Sequence, residues 1–481
     1  MHSFRYRGLV EGFYGTPWSH VDRLWMLERI GEWGMNRYVY APKEDPLHRE
    51  QWRALYPAAM QRQFRELIAH GARYGIDVGF ALSPGLSIAY SSPSDRAGLL
   101  DKLRGFTQLG ASLVVLAVDD VPARLTHAAD REAFRSLAHA HVDLIGCIRD
   151  ALGPAVAVWL VPTEYLGVAS SGYLEELGRE LPEDVEIAWT GRTVLSPTIE
   201  LEQARARATS LKRAPWLWDN LPVADGPMRH MLHMAPYLGR DARLCESLSG
   251  VLLNPMQHAR ASAVTIHTAC AYLNDPQGYD PETAWDAATM ALGGAGDQAL
   301  RVFARAHRFT PQSPDDRDCE LEAGFDRLRA DLERGADLSP AIEALRACVE
   351  LRAPVAEQLR ATAEDRRFVQ ELEPWLESHQ TETLRMRIAL TALAAFFVDG
   401  ATVGDKMLAY IRMEARLTRL PAVRAVSYGP RRVLYPQLRS MQDDAMLFTA
   451  EDPQLLRDRC LADEIVDFVA DLAVWMLTSS D

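Results

Sequence analysis

The sequence predicts an α/β chain in which a (β/α)8 barrel of the TIM type is followed by an all-α helical bundle. Two observations carry this reading. Residues 1–275 alternate eight short β-branched or aromatic runs with longer amphipathic stretches, and several of the runs are apolar without alternation. Strands covered on both faces of a parallel sheet have that character. Residues 276–481 lose the short runs and keep helical periodicity.

The runs come in order as RGLVEGFYG, NRYVYAPK, DVGFALSPG, SLVVLAVDD, VAVWLVPTEY, EIAWTG, APWLWDN and GVLLNP. Stretches such as HVDRLWMLERIGEWG and DREAFRSLAHAHVDLIGCIRDALG lie between them and read as helices. A doubly wound open sheet is the competing architecture. It would show a glycine-rich turn after the first strand, and EGFYGTPW does not match G-x-G-x-x-G. Past PQGYDPETAWD the segments QALRVFARAHRF, AIEALRACVELRAPVAEQLRA, ETLRMRIALTALAAFFVDG, GDKMLAYIRMEARLTRL and EIVDFVADLAVWML read as helices with little strand signal. Leu384, Ile388, Ala392 and Ala395 share one helical face by spacing. PQSPDDRDC and SYGPRRVLYPQ read as loops.

The 481 residues are 48% hydrophobic and 25% charged, the composition of a soluble globular chain with room for two or three domains. A net charge of −14 argues against nucleic acid as a partner. Cys147, Cys245, Cys270, Cys319, Cys348 and Cys460 lie far apart, and no C-x-x-C pair suggests a zinc or redox site. The amino terminus MHSFRYRGLVEG has no signal-like apolar core, and no apolar run is long enough for a membrane span. A cytoplasmic protein with free thiols is expected.

In a barrel of this kind chemistry sits where the strands run out. Here the runs end on Glu11-Gly12-Phe13-Tyr14, Ala41-Pro42-Lys43, Ser83-Pro84-Gly85, Asp119-Asp120, Thr163-Glu164-Tyr165, Thr190-Gly191, Asp219-Asn220 and Asn254-Pro255. Neighbouring side chains of a strand point to opposite faces, so Asp119 and Asp120 share a pocket only if the strand has already broken. Two carboxyls in one cleft can divide labour, one protonated as an acid and the other ionised. That suits cleavage of a glycosidic bond, where a protonated carboxyl delivers its proton to the leaving oxygen. Adjacent residues are poorly placed to flank a sugar from both sides, unless the substrate's own 2-acetamido oxygen attacks the anomeric carbon. An N-cap or solvated loop is the structural alternative for the pair. Metal binding ranks low, because no third compact ligand stands at telling spacing.

These stretches together resemble family 84 of the glycoside hydrolases. The match rests on GLVEGFYGTPWS, NRYVYAPKEDPLHR, ALSPGL, VDDV, FRSLAHAHV, PTEYLG, WTGRTVLS, KRAPWLWDNLPVAD and GVLLNP, in family order across residues 5–275. The helical half is similar in character to the family's stalk-like domain, without a motif of its own. The resemblance implies a retaining exo-β-N-acetylglucosaminidase that works through an oxazoline with no metal or organic cofactor. Asp120 is then the acid and later the base, Asp119 orients and polarises the acetamido group, and Tyr165 hydrogen-bonds near the reacting centre. The backbone of Gly12, with Lys43, Asn220, Asp225 and Asn254, is expected to hold ring hydroxyls, and Trp218 and Thr190 to wall the acetamido methyl. The implied substrate is a terminal β-GlcNAc on Ser or Thr of a protein or peptide, or on a small glycoside. The helical half is a candidate surface for a homodimer. Glu11 and Glu164 are expected to be structural carboxylates. Glu44 and Gly226 depart from the family pattern outside the proposed chemistry. A retired barrel that binds GlcNAc without cleaving it, or a hyaluronidase-like endo-enzyme, are the alternatives.

Overall fold

Eight parallel strands close on themselves in chain order: β1 (Tyr6–Glu11), β2 (Arg37–Tyr40), β3 (Asp77–Leu82), β4 (Leu113–Ala117), β5 (Ala157–Val161), β6 (Glu186–Trp189), β7 (Trp216–Asp219) and β8 (Gly250–Leu253). β1 pairs with β2 through Val10 opposite Val39 and with β8 through Leu9 opposite Leu253, which completes the barrel. Each of the eight runs quoted above supplies one strand, so the barrel expected from the sequence is present. The structure is a computed structural model that describes residues 4–313, 316, 318–422, 425, 427–428, 437–442, 445–449 and 460–478. Pro314, Asp315 and Arg317 of the first predicted loop and residues 429–436 of the second lie outside them.

Alternate residues of the strands meet in one buried cluster that fills the barrel. Val10, Val39, Ala81, Val115, Ala117, Trp159, Val161, Ala188, Trp216, Trp218 and Leu252 belong to it. The large rings sit against one another, Tyr6 at 4.7 Å from Trp159 and Trp159 at 5.3 Å from Trp216 between centroids. The remaining strand residues face the helices. Phe80 of β3 stacks on Phe106 at 4.5 Å, and Phe64 packs against both Phe80 and Tyr40. Near-continuous hydrophobicity of the strands follows from burial on both faces.

Four local readings change. The stretch from Asp130 to Gly153 is two helices, Ala128–Ala133 and Leu137–Leu152, rather than one. Phe134 adopts an extended backbone, and the Ser136 side chain then caps the second helix by accepting from His139 N at 2.9 Å. AIEALRACVELRAPVAEQLRA also breaks, into Ser339–Arg352 and Val355–Thr362, at Pro354, which lacks the N–H a continuous helix needs. In the long helix Arg366–Phe396, Ile388 and Ala392 are buried but Leu384 is 40% exposed. The buried stripe instead runs through Met386, Ala389, Leu390, Leu393 and Phe396. A two-stranded antiparallel ribbon, Gln437–Gln442 with Ala445–Thr449, also stands where little strand signal was read.

The chain divides into two compact units. One comprises Met1–Gly226, Pro236–Trp285 and Tyr435–Pro453, and the other Pro227–Ala235, Asp286–Leu434 and Gln454–Asp481. The second unit has its own helical core, with Leu345, Val349, Leu390, Leu393, Ile465 and Val469 fully or nearly fully buried. No helix among the described residues is long and apolar enough to cross a membrane.

Candidate active site

Strand alternation decides which rim residues look into the barrel mouth. Val10, Ala41, Ala117, Val161, Ala188, Trp218 and Leu252 are interior. Two residues on from each come Gly12, Lys43, Asp119, Thr163, Thr190, Asn220 and Asn254, on the same parity. Asp120 has the wrong parity for that mouth. Its backbone, however, is left-handed, with φ +52°. That conformation is uncommon for a residue other than Gly, with Asn and Asp the usual exceptions. It breaks the alternation one residue after Asp119, so two adjacent carboxylates converge.

What they converge on is a lysine. Lys43 Nζ contacts Asp119 Oδ2 directly and lies 3.9 Å from Asp120 Oδ2. Burial by itself would lower the basicity of Lys43, but Asp119 and then Asp120 outweigh it and leave its pKa raised. The ammonium offsets part of the repulsion between the two acids. Asp120 takes a second kind of partner. The Tyr165 hydroxyl donates to its Oδ1 at 2.9 Å and the Tyr14 hydroxyl to its Oδ2 at 3.1 Å. Burial, and next the charge of Asp120, push the Tyr165 phenol well above its ordinary range, so it stays a donor. Asp119 Oδ1 differs from the other three oxygens: it is buried and accepts no hydrogen bond among the described residues.

The wall beside the pair is a chain of amides. Asn254 Oδ1 accepts from Gly12 N at 3.1 Å, and Asn254 Nδ2 donates to Asn220 Oδ1 at 3.0 Å. Trp218 Nε1 donates to the same Asn220 oxygen at 2.9 Å. Gly12 is required there, because a Cβ would fall 2.2 Å from Trp218 Cζ2. Thr190 holds Tyr165 from below, its N–H donating to the Tyr165 carbonyl at 2.9 Å. Asp225 accepts from Tyr14 N at 2.8 Å, and burial raises its pKa. The structure thus brings the sequence-predicted residues Gly12, Lys43, Asp119, Asp120, Tyr165, Thr190, Trp218, Asn220, Asp225 and Asn254 to one rim.

The β-N-acetylglucosaminidase (NAGidase) family matches residues 7–305. The chain belongs to that family. The match includes the barrel and every site residue just described, and it agrees with the glycoside hydrolase family 84 resemblance. The protein O-GlcNAcases of Rattus norvegicus and Mus musculus are each 38% identical over 271 residues, 55% of this chain. That stretch is 29% of their own length. A mutant O-GlcNAc hydrolase of Thermobaculum terrenum superposes with a TM-score of 0.84 at 29% identity, over 99% of this chain and 95% of that one. CpGH84B superposes with a TM-score of 0.77 at 26% identity, over 88% of this chain and 74% of its own.

Within this β-N-acetylglucosaminidase-family rim, sequence reasoning missed two residues and placed others away from the centre. Tyr14 was visible only as the end of the first run, yet it bridges Asp120 and Asp225. Arg49 donates to the Tyr14 hydroxyl at 2.8 Å and carried no signal beyond its place in KEDPLHRE, just after the second strand. Glu11 and Asp219 face outward by parity, into buried ion pairs. Arg23 meets Glu11 at 2.7 and 2.8 Å, and Arg240 meets Asp219 at 2.8 and 2.5 Å. Glu164 accepts from Ser171 at 2.5 Å at the start of the next helix.

Proposed function

We propose that this chain is a retaining exo-β-N-acetylglucosaminidase that uses its substrate's acetamido group as nucleophile and removes O-linked GlcNAc from Ser or Thr of proteins or peptides. One observation carries the reading. Among the described residues, Asp119 keeps a buried oxygen with no donor beside an Asp120 whose oxygens are held by hydroxyls and a shared lysine. A buried acceptor without a partner is costly unless something meets it, and an acetamido N–H is a donor of the right kind.

In the first step the acetamido oxygen attacks the anomeric carbon while Asp119 accepts from the acetamido N–H. The proton of Asp120 passes to the glycosidic oxygen as that bond breaks, leaving a bicyclic oxazolinium, the protonated oxazoline, whose N–H stays hydrogen-bonded to Asp119, and a free hydroxyl on the aglycone. In the second step Asp120 takes a proton from water as the water oxygen bonds to the anomeric carbon, which opens the ring and retains configuration. Tyr165 holds Asp120 in place through both steps. Lys43 keeps Asp119 aimed by direct contact. Trp218 supplies an apolar wall for the acetamido methyl, and the Gly12, Asn220, Asn254 and Asp225 set faces the ring hydroxyls. These roles are also those that the resemblance to glycoside hydrolase family 84 implies.

The test is release of GlcNAc from an aryl β-GlcNAc, an O-GlcNAc peptide and chitobiose, with the anomer first formed read by NMR. Turnover of the aryl glycoside and the peptide with retained configuration is expected. Inversion would remove the oxazoline step. A folded protein that binds GlcNAc and cleaves none of the three would be a binding module, and release of oligosaccharides from hyaluronan would indicate an endo-enzyme.

A further inference from the structure

Tyr14 and Tyr165 both donate to Asp120, but their surroundings differ. Tyr165 is buried, while Tyr14 is 38% exposed and its hydroxyl also accepts from Arg49 Nη1 at 2.8 Å. We infer that Arg49 is a positioning residue of the reaction: by occupying the Tyr14 oxygen as donor, it commits the Tyr14 proton to Asp120 Oδ2 and so fixes that carboxyl in place. The inference rests on the acid–base role proposed for Asp120.

The geometry leaves Arg49 little else to do. Its guanidinium carbon lies 5.9 Å from the Tyr14 ring centroid, against the face of the residue it bonds. Its Nε is buried without a hydrogen-bond partner among the described residues. It forms no ion pair among the described residues, whereas Arg23, Arg240 and Arg53 each have a carboxylate of their own. A phenol that accepts from a cation is a stronger donor through its own O–H, because the two bonds polarise one another. Burial would lower the basicity of Arg49, but Tyr14, Asp120 and Asp119 raise it above that loss. Its charge is therefore felt at the acid pair. The groups facing Asp120 are Lys43, Asp119, Tyr165 and Tyr14, with Asp225 holding the Tyr14 backbone. Among the described residues the hydrogen-bonded path from Arg49 to Asp120 runs through Tyr14.

That chain of contact makes a double-mutant prediction. Tyr14→Phe, Arg49→Met, the double variant and Arg49→Lys are compared on two aryl β-GlcNAc substrates, one with a dinitrophenyl leaving group and one with methoxyphenyl. Tyr14→Phe and Arg49→Met are each expected to lower kcat/KM about 10-fold on the methoxyphenyl glycoside, which needs a proton, and little on the other. The double variant should be no slower than Tyr14→Phe. Loss of the positive charge should move the alkaline limb of kcat/KM to higher pH in Arg49→Met, and Arg49→Lys should restore it. The inference is overturned if the Arg49→Met profile superposes on wild type, or if Arg49→Met costs as much in the Tyr14→Phe background as alone. If Arg49→Met does not fold, Arg49→Gln keeps a donor without the charge and reads the same limb. Wild type inactive on both glycosides would instead bring down the proposed activity itself.

Discussion

Four carboxylates stand at the ends of three barrel strands, and they fall into two kinds. Glu11 and Asp219 point outward to the helices, and each is clasped bidentately by its own buried arginine, Arg23 or Arg240. Hydroxyls complete their shells, from Tyr38 on Glu11 and from Tyr237 on Asp219. Asp119 and Asp120 point inward, share one lysine, and among the described residues otherwise meet tyrosine hydroxyls or no donor. A guanidinium fork satisfies a carboxylate and fixes it. A shared ammonium and two phenols leave bonding capacity for a ligand. The type of partner, more than burial itself, separates carboxylates that hold the barrel together from those available for chemistry.

Neutralising the two inward acids should produce the largest effects. Asp120→Asn is expected to cut turnover of glycosides with poor leaving groups by about 100- to 10,000-fold, the range of a lost general acid. The loss should shrink for dinitrophenyl, which leaves without a proton. Asp119→Asn should slow every substrate, activated or not, because the acetamido group loses the carboxylate that steers it. Steady-state kinetics across a leaving-group series distinguishes the two. Equal dependence on leaving group in both variants would mean that the roles of the neighbours are wrongly divided.

The outward acids should answer in stability and not in kcat. Glu11→Gln leaves the Arg23 guanidinium buried without a counter-charge, a loss of about 3–5 kcal/mol for a broken buried pair. Burial lowers the basicity of Arg23, yet Glu11 more than restores it, which shows how strongly the pair is coupled. Denaturant melts should show the loss, while kcat of the folded fraction stays within a few-fold of wild type. A kcat collapse like that of Asp120→Asn would put Glu11 in the reaction and erase the distinction between the two kinds.

Much of this could be read from the chain. The eight strands were legible because burial on both faces leaves unbroken apolar runs, and the rim was legible because polar residues collect only where those runs stop. Parity then sorts inward from outward for every residue still in strand register. It fails at Asp120, where a left-handed backbone overrides it, and no residue type announces that conformation in advance. Arg49 was illegible for another reason. It reaches the site from a loop after β2 through one contact to Tyr14, a relation set by folding and not by spacing. The Leu384 face was misjudged because helical spacing gives a stripe without saying which of two neighbouring stripes meets the core.

The helical unit offers a third setting for a buried carboxyl, and with it the smallest effect. Glu382 is buried with neither an arginine fork nor a shared lysine among the described residues. Its oxygens accept from the backbone of Ser427 at 3.3 Å and Tyr428 at 3.1 Å. Burial pushes its pKa up to about 8, only partly offset by those two N–H groups; Asp463 raises it further and Arg385 lowers it. The folded chain therefore holds a proton on Glu382 that the unfolded chain releases near the ordinary glutamate value of about 4.3. Stability from this group is complete below that value, falls as pH rises between the two values, and is spent once pH passes about 8. Glu382→Gln, which keeps a neutral amide there at every pH, should flatten that part of the profile. Urea melts of both proteins at pH 5 and pH 8 measure the difference, with the wild type losing more between them. An unchanged slope in the variant would mean that the Glu382 carboxyl is ionised in the folded chain.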